Sequence, residues 1–332
     1  MGIRDVAEAA GVSITTVSHA LNRKGRLPAE TREHVQAVAE RLGYRPNVNA
    51  RNLAGGRSGL LALAMSRIED PAFQLGDFDY YGALVGGATS AAIDRGYALA
   101  VAPAADAEKT LHKVSAEGAI VVDPVPGDRS VQYLRQTATP FVTTGRPLDA
   151  ADGGYWVDND HEDGLRRMFD HLARADSERI ALVTPLDFKN SYVDDTLGAY
   201  RKWCSDQGFP EMIANAAAMT EEAGYEAAIS FLDSPEPPDA IFATIDLLAI
   251  GVLHAARQRG IPVPGELQVA ASHDSRAAQM ARPPLTSLSV NPGEIGRHAV
   301  EMLINLVEEI EVDDDHVIVP TQVLARGSTR GT

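Results

Sequence analysis

Cysteine is nearly absent from this chain of 332 residues: there is one, Cys204. A single thiol excludes an internal disulfide and any cysteine-based zinc site. Its setting in "YRKWCSDQGF" is that of a small buried side chain on a helix rather than a nucleophile. Long apolar runs are missing too, none approaching the roughly 18 residues that span a bilayer. The N-terminus lacks the basic and then apolar pattern of a secretory signal, so a cytoplasmic protein without a membrane partner is expected. Positive charge is in deficit, with 30 Lys and Arg against 46 Asp and Glu, a formal net charge of -16. Catalytic motifs are lacking as well. "HEDG" (161–164) is a helix start with acidic residues at its dipole, not the HExxH zinc pattern. "EVDDDHVIV" (311–319) reads as a solvated loop before a strand. "GALVGGATS" (82–90) follows no strand and reads as close helix packing, not a dinucleotide loop. Trp156 and Trp203 read as packing residues. No Ser, His and Asp set assembles from the sequence, so no catalytic residues, cofactor or metal are assigned.

What is present is unevenly placed. Residues 1–57 hold nine basic and five acidic residues, a formal +4, which leaves -20 for the rest. A basic head on an acidic body is the arrangement expected when only the head meets nucleic acid. In "IRDVAEAAG", Ile3, Val6 and Ala10 share a helical face and Gly11 ends it in a tight turn. Ser13 is positioned as the N-cap of a second helix in "VSITTVSHALN". There Val17 and Leu21 face inward, Thr15, His19 and Asn22 form an outward stripe, and Ile14 and Ser18 flank it. Short polar side chains on such a stripe reach base edges in a major groove, and an isoleucine touches a thymine methyl. A third helix, "AETREHVQAVAERLGY", buries Val35, Val38, Ala39 and Leu42. "RPNVNARNLAGGRSG" then offers a helix start at Pro46 and Asn47, barely two turns, with Leu53 as its one large apolar residue. It is a plain linker or a hinge helix that orders only on DNA.

The segments "IRDVAEAAGVSITTVSHALN", "TREHVQAVAERLGYRPNVNARNLAGGRSG", "DLLAIGVLHAARQRGIPVPGELQV" and "RPPLTSLSV" resemble the LacI/GalR family of bacterial transcription regulators, in order and across essentially the whole chain. The resemblance implies a homodimer on a near-palindromic operator, repression as the usual outcome, and a core that binds a small-molecule effector, a sugar or another metabolite. It implies base contacts from Ile14, Thr15 and His19, and phosphate contacts from Ser13, Thr16 and Asn22, with Ser18 beside them on the DNA-binding face. It also implies hinge contacts from Asn47 and Ala50, and a minor-groove wedge at Leu53.

Seven apolar runs, at 60–66, 97–104, 118–124, 141–145, 179–185, 239–245 and 267–273, alternate with stretches of helical period, the signature of a doubly wound α/β fold. The fold class expected is an N-terminal all-α helix-turn-helix DNA-binding domain plus an α/β two-subdomain core resembling type I periplasmic binding proteins. Residues 1–45 form the head, 46–57 the hinge and 58–332 the core. Within the core, 58–157 and 286–311 are assigned to one subdomain, and 158–285 and 312–332 to the other. Ligands in such folds bind beyond the carboxyl ends of strands. The cleft should therefore collect Ser66, Phe73, Gly145, Phe188, Asp246, His273 and Asp274, with Thr196 where many sugar-responsive relatives place an arginine. Ile245, His273 and Gly145 depart from the family pattern in the same way. Sugar recognition leans on buried carboxylates and guanidinium forks. The departures leave three readings open: a less hydroxylated metabolite, a core that serves mainly to dimerise, and an anionic or proton-linked ligand at His273. The competing function is a cytoplasmic metabolite-binding protein or enzyme on the same scaffold, which leaves the basic head without a purpose.

Overall fold

The computed structural model describes residues 2–21, 27–44, 58–65, 79–102, 107–149, 153–174 and 177–331. The chain divides into two compact units, Met1–Gly59 and Leu60–Thr332.

The first unit is built from α1 (Ile3–Ala10), α2 (Ile14–Leu21) and α3 (Ala29–Arg41). The Asp5 carboxylate accepts from the Gly2 N–H at 2.7 Å, which steadies the first turn of α1. Gly11 ends that helix with φ 65°, a left-handed turn that favours glycine. Ser13 Oγ then accepts from the Thr16 N–H at 3.0 Å, so the capping residue expected from the sequence starts α2. Val6, Val17, Ala20, Val35, Val38 and Ala39 are buried together, with Ile3, Leu21 and Leu42 packed against them. Their 3.6-residue spacing is what closes three short helices around one small core.

The second unit holds two sheets. The first contains β1 (Leu60–Met65), β2 (Ala98–Ala102), β3 (Gly118–Val122), β4 (Phe141–Thr144), β5 (Trp156–Asn159) and β11 (His316–Val319), in the order β11-β5-β4-β3-β1-β2. The second contains β6 (Ile180–Thr184), β7 (Ile213–Asn215), β8 (Ala240–Ala243), β9 (Gln268–Ser272), β10 (Thr286–Ser289) and β12 (Gln322–Leu324), in the order β12-β10-β9-β8-β6-β7. All pairings are parallel except β10 with β12. Successive residues of each strand feed opposite faces. Leu61, Leu63 and Met65 join one buried cluster, Ala62 and Ala64 another. Helices cover both faces, so the strands are apolar throughout rather than alternating. With the first sheet lie α4 (Asp79–Asp94), α5 (Ala107–Val114), α6 (Arg129–Gln136) and α12 (Pro292–Val307). The second sheet carries α7 (His161–Arg174), α8 (Ser191–Gln207), α9 (Glu221–Leu232), α10 (Asp246–Gln258) and α11 (Arg276–Met280).

All seven apolar runs are strands, and β5, β7, β10 and β12 were not expected. They are three or four residues long and mix polar with apolar side chains, too short for an apolar-run signal. "GALVGGATS" lies on α4, where a Cβ on Gly87 would stand 2.1 Å from Gly293 O of α12. Glycine therefore lets the two helix backbones touch. Cys204 and Trp203 are core residues, whereas Trp156 is half-buried and stacks on His316 at 4.5 Å. Three aspartates, 313–315, are exposed.

The chain crosses between the halves three times: after β5, after β10 and after β11. The subdomain ranges expected from the sequence are corrected by this at two strands. β10, assigned there to the first half, is hydrogen-bonded into the second sheet, and β11, assigned to the second half, pairs with β5. A sheet edge accepts whichever strand satisfies its backbone groups, and four-residue strands leave no pattern that says which.

Candidate functional site

On α2, burial splits the side chains as the helical period demands. Val17 and Ala20 are buried, whereas Ile14 is 45% exposed and Thr15 and His19 are exposed. Thr16 and Ser18 are half-buried. The hydroxyls of Ser13 and Thr16 lie 2.8 Å apart, so both assigned backbone-contact residues also build the cap. An exposed isoleucine beside two exposed polar residues, on a helix held by a packed core, is a surface shaped to meet a partner. Asn22, Asn47, Ala50, Leu53 and the hinge 46–57 lie outside the described residues.

In the second unit a cleft opens between the two halves. Tyr80 and Tyr81 enter it from the start of α4, Asp123 from the carboxyl end of β3, and Asp158 and His161 from the first crossover. Phe188, Ser191 and Tyr192 come from the loop before α8 and from its first turn, and His273 from the carboxyl end of β9. Rings dominate. Tyr80 and His273 stand 4.8 Å apart, His273 and Tyr192 6.0 Å, and Tyr192 and His161 5.0 Å, a column that joins the first half to the second.

The polar groups fall into two sets. Asp158 accepts from the Arg146 N–H at 2.9 Å, the Asn159 N–H at 2.8 Å, Ser191 Oγ at 3.0 Å and His161 Nε2 at 2.9 Å. Burial works against ionisation of Asp158, yet these partners, His161 foremost, hold its pKa below the usual carboxylate value. The reciprocal effect outweighs the burial of His161, whose pKa is raised. Asp123 is different: among the described residues its carboxylate accepts only from Tyr81 Oη, at 2.9 Å, and burial pushes its pKa up to about 7 despite that bond. His273 has φ 68°, and burial lowers its pKa to about 4, so it is neutral near pH 7.

Of the cleft residues expected from the sequence, Phe188 and His273 line the cleft itself. Asp246 and Asp274 line an adjoining recess with His273, and Asp274 pairs with Arg326 at 2.7 Å. Gly145 borders the cleft with φ 97°, where a Cβ would stand 3.2 Å from Ser191 Oγ. Thr196 is fully buried on α8 and is not among the lining residues. Ser66 and Phe73 lie outside the described residues. Sequence reasoning passed over Tyr80, Tyr81, Asp123, Asp158, His161 and Tyr192. Asp123 carried a readable signal, since a carboxylate at the end of the apolar run 118–124 stands where ligands bind. No described helix is long and apolar enough to cross a membrane, and the described residues contain no cluster suited to a metal ion.

Comparison with known proteins matches this arrangement. Residues 2–47 fit the profile of the bacterial regulatory proteins, lacI family, and residues 169–329 that of the periplasmic binding protein-like domain. Catabolite control protein A of Priestia megaterium is 27% identical over 338 residues, covering 99% of each chain. The solved complex of the transcriptional regulator CelR with cellobiose is 26% identical, with a TM-score of 0.74 and 99% of each chain covered. The lac repressor dimer bound to operator and the anti-inducer ONPF shares the fold, with a TM-score of 0.77 at 24% identity and 99% of each chain covered. The head of this chain thus matches the lacI family of bacterial regulatory proteins and its core the periplasmic binding protein-like domain, in an order that full-length regulators of similar sequence share.

Proposed function

We propose that the protein is a cytoplasmic, sequence-specific transcriptional repressor that binds a near-palindromic operator as a homodimer and changes its DNA affinity when a small molecule enters the cleft. The observation that carries this is one chain holding both a capped helix with Ile14, Thr15 and His19 exposed and a ring-lined cleft between two α/β halves. Ile14, Thr15 and His19 read base edges, while Ser13, Thr16, Ser18 and Asn22 meet the backbone. Asn47 and Ala50 belong to a hinge that orders on DNA, and Leu53 wedges into the minor groove and holds the kink. Related structures are described as an operator-bound dimer and as a cellobiose complex, which supports both partners. A ligand acts by binding one arrangement of the two halves better than the other. Around the cleft, Phe188, His273, Asp246, Asp274 and Gly145 surround that ligand.

The test is selection of bound sequences from a random duplex library by the purified protein, with and without pools of metabolites. A palindrome whose recovery changes with one pool is expected, with affinity falling steeply as salt rises. Failure to enrich any sequence at low salt would overturn the DNA-binding reading. A palindrome indifferent to every pool would overturn the effector reading alone.

A further inference from the structure

Two groups in the cleft have hydrogen-bonding capacity left over. Asp158 does not: four donors occupy it, as many as a carboxylate accepts. Those contacts orient His161, which points Nε2 at Asp158 and leaves its buried Nδ1 without a partner. A buried polar atom with nothing to bond is costly unless something fills the place. Asp123 takes only the Tyr81 hydroxyl, and its φ of 50° turns it off the end of β3. Gly145 keeps the space beside it open, because a Cβ there would stand 3.6 Å from Asp123 Oδ1 and 3.2 Å from Ser191 Oγ.

Charge narrows what fits. The described lining residues include the carboxylates Asp123 and Asp158 and no Lys or Arg. His161 has its charge matched by Asp158, and His273 is neutral near pH 7. Against these described walls an anion would be buried beside two carboxylates without a lysine or arginine to pair with, which is costly. An uncharged or positive ring gains from the same walls, since Tyr80, Tyr192 and Phe188 offer faces for stacking and for a cation.

Building on the effector reading, we propose that the cleft binds an uncharged or cationic ring compound that donates an O–H or N–H to Asp123 and fills Nδ1 of His161. Phosphorylated and carboxylated forms of the same ring are excluded. His161 and Asp123 are then specificity-determining residues of the site.

Titration calorimetry on the full chain tests this with matched probes: glucose, glucosamine, glucose 6-phosphate and gluconate, cellobiose, and adenosine against adenosine 5′-monophosphate. A neutral or cationic probe is expected to bind at least tenfold tighter than its anionic counterpart, and Asp123→Asn to weaken it at least tenfold. His161→Gln should weaken it as well, with folding of both variants checked by circular dichroism. If His161→Gln does not fold, Asp123→Asn, which leaves the Asp158 cluster intact, still decides. Tighter binding of an anionic probe, or binding unchanged in Asp123→Asn, overturns the charge assignment and leaves the effector reading standing. No binding of any probe at millimolar concentration overturns both.

Discussion

The side-chain amide of Asn159 donates to the main-chain oxygen of Val290 at 3.0 Å, and it donates to Val319 O at the same distance. Asn159 ends β5, Val290 follows β10 and Val319 ends β11, so one buried side chain ties together the three segments that connect the two halves. Asn291 adds a second tie, donating to Pro320 O at 2.9 Å.

Replacing Asn159 by alanine takes the donor from the Val290 carbonyl and leaves Val319 O only the longer bond from the Asp160 N–H at 3.4 Å, a loss of about 1–3 kcal/mol. The expected outcome is a lower urea midpoint together with a larger radius of gyration by small-angle scattering, as the halves separate more readily. A variant within about 0.5 kcal/mol of the parent, the scatter of ordinary surface changes, would show that the tie does not hold the crossovers.

Two glycines of α4 separate packing from propensity. Gly87→Ala places a methyl 2.1 Å from Gly293 O and must push α4 and α12 apart, at about 1–3 kcal/mol or more. Gly82→Ala meets nothing within 4 Å and should stabilise by about 0.5–1 kcal/mol through helix propensity. Thermal melting of the two variants reads the difference in sign directly.

Stability should vary with pH through Asp123. Its folded pKa of about 7 lies above the unfolded value, so the folded chain retains a proton that the unfolded chain gives up. Stability therefore falls as pH rises from roughly 4 to 7. The loss is about 2 kcal/mol, since the carboxyl is partly open to solvent. His273 acts in the opposite direction: its folded pKa of about 4 lies below the unfolded value, so stability falls as pH drops from roughly 6.5 to 4. Urea titrations from pH 5 to 8 should show Asp123→Asn flattening the alkaline decline. His273→Asn, which tolerates the positive φ, should flatten the acid one.

The head separates fold from recognition in the same way. Ser13→Ala removes the hydroxyl that accepts from the Thr16 N–H and should cost the head about 1 kcal/mol. His19→Ala alters an exposed side chain, so melting should stay within about 0.5 kcal/mol of the parent. Discrimination at one operator position should nevertheless relax by about 1–3 kcal/mol. Competition binding with single-base operator variants measures this, and discrimination unchanged at every position would remove His19 from the base contacts.

Legibility followed the strength of local pattern. The head was readable because Val6 with Ala10, Val17 with Leu21, and Val35 with Val38 stand at helical spacing and Gly11 and Ser13 punctuate it. Strands buried on both faces were readable because covering helices make them continuously apolar. The cleft was readable only in part. His273 stood at a strand end and was found. Asp158 sits in a four-residue strand with no apolar run, and "HEDG" read as an ordinary acidic helix start, so His161 was not singled out. Tyr80 and Tyr81 matter through what they face, and nothing near them in the chain says so.

The sequence by itself determined the division into a basic helical head and an acidic α/β body, the positions of the apolar strands and the outward stripe on α2. Those follow from periodicity, capping and charge, which act over a few residues. Only the tertiary structure decided which sheet β10 and β11 join, that Asn159 binds all three crossovers, and that Asp123 and His161 share a cleft lined with tyrosine. Hydrogen bonds between segments 131 and 160 residues apart settle such questions, because a buried backbone group must find a partner wherever in the chain it lies.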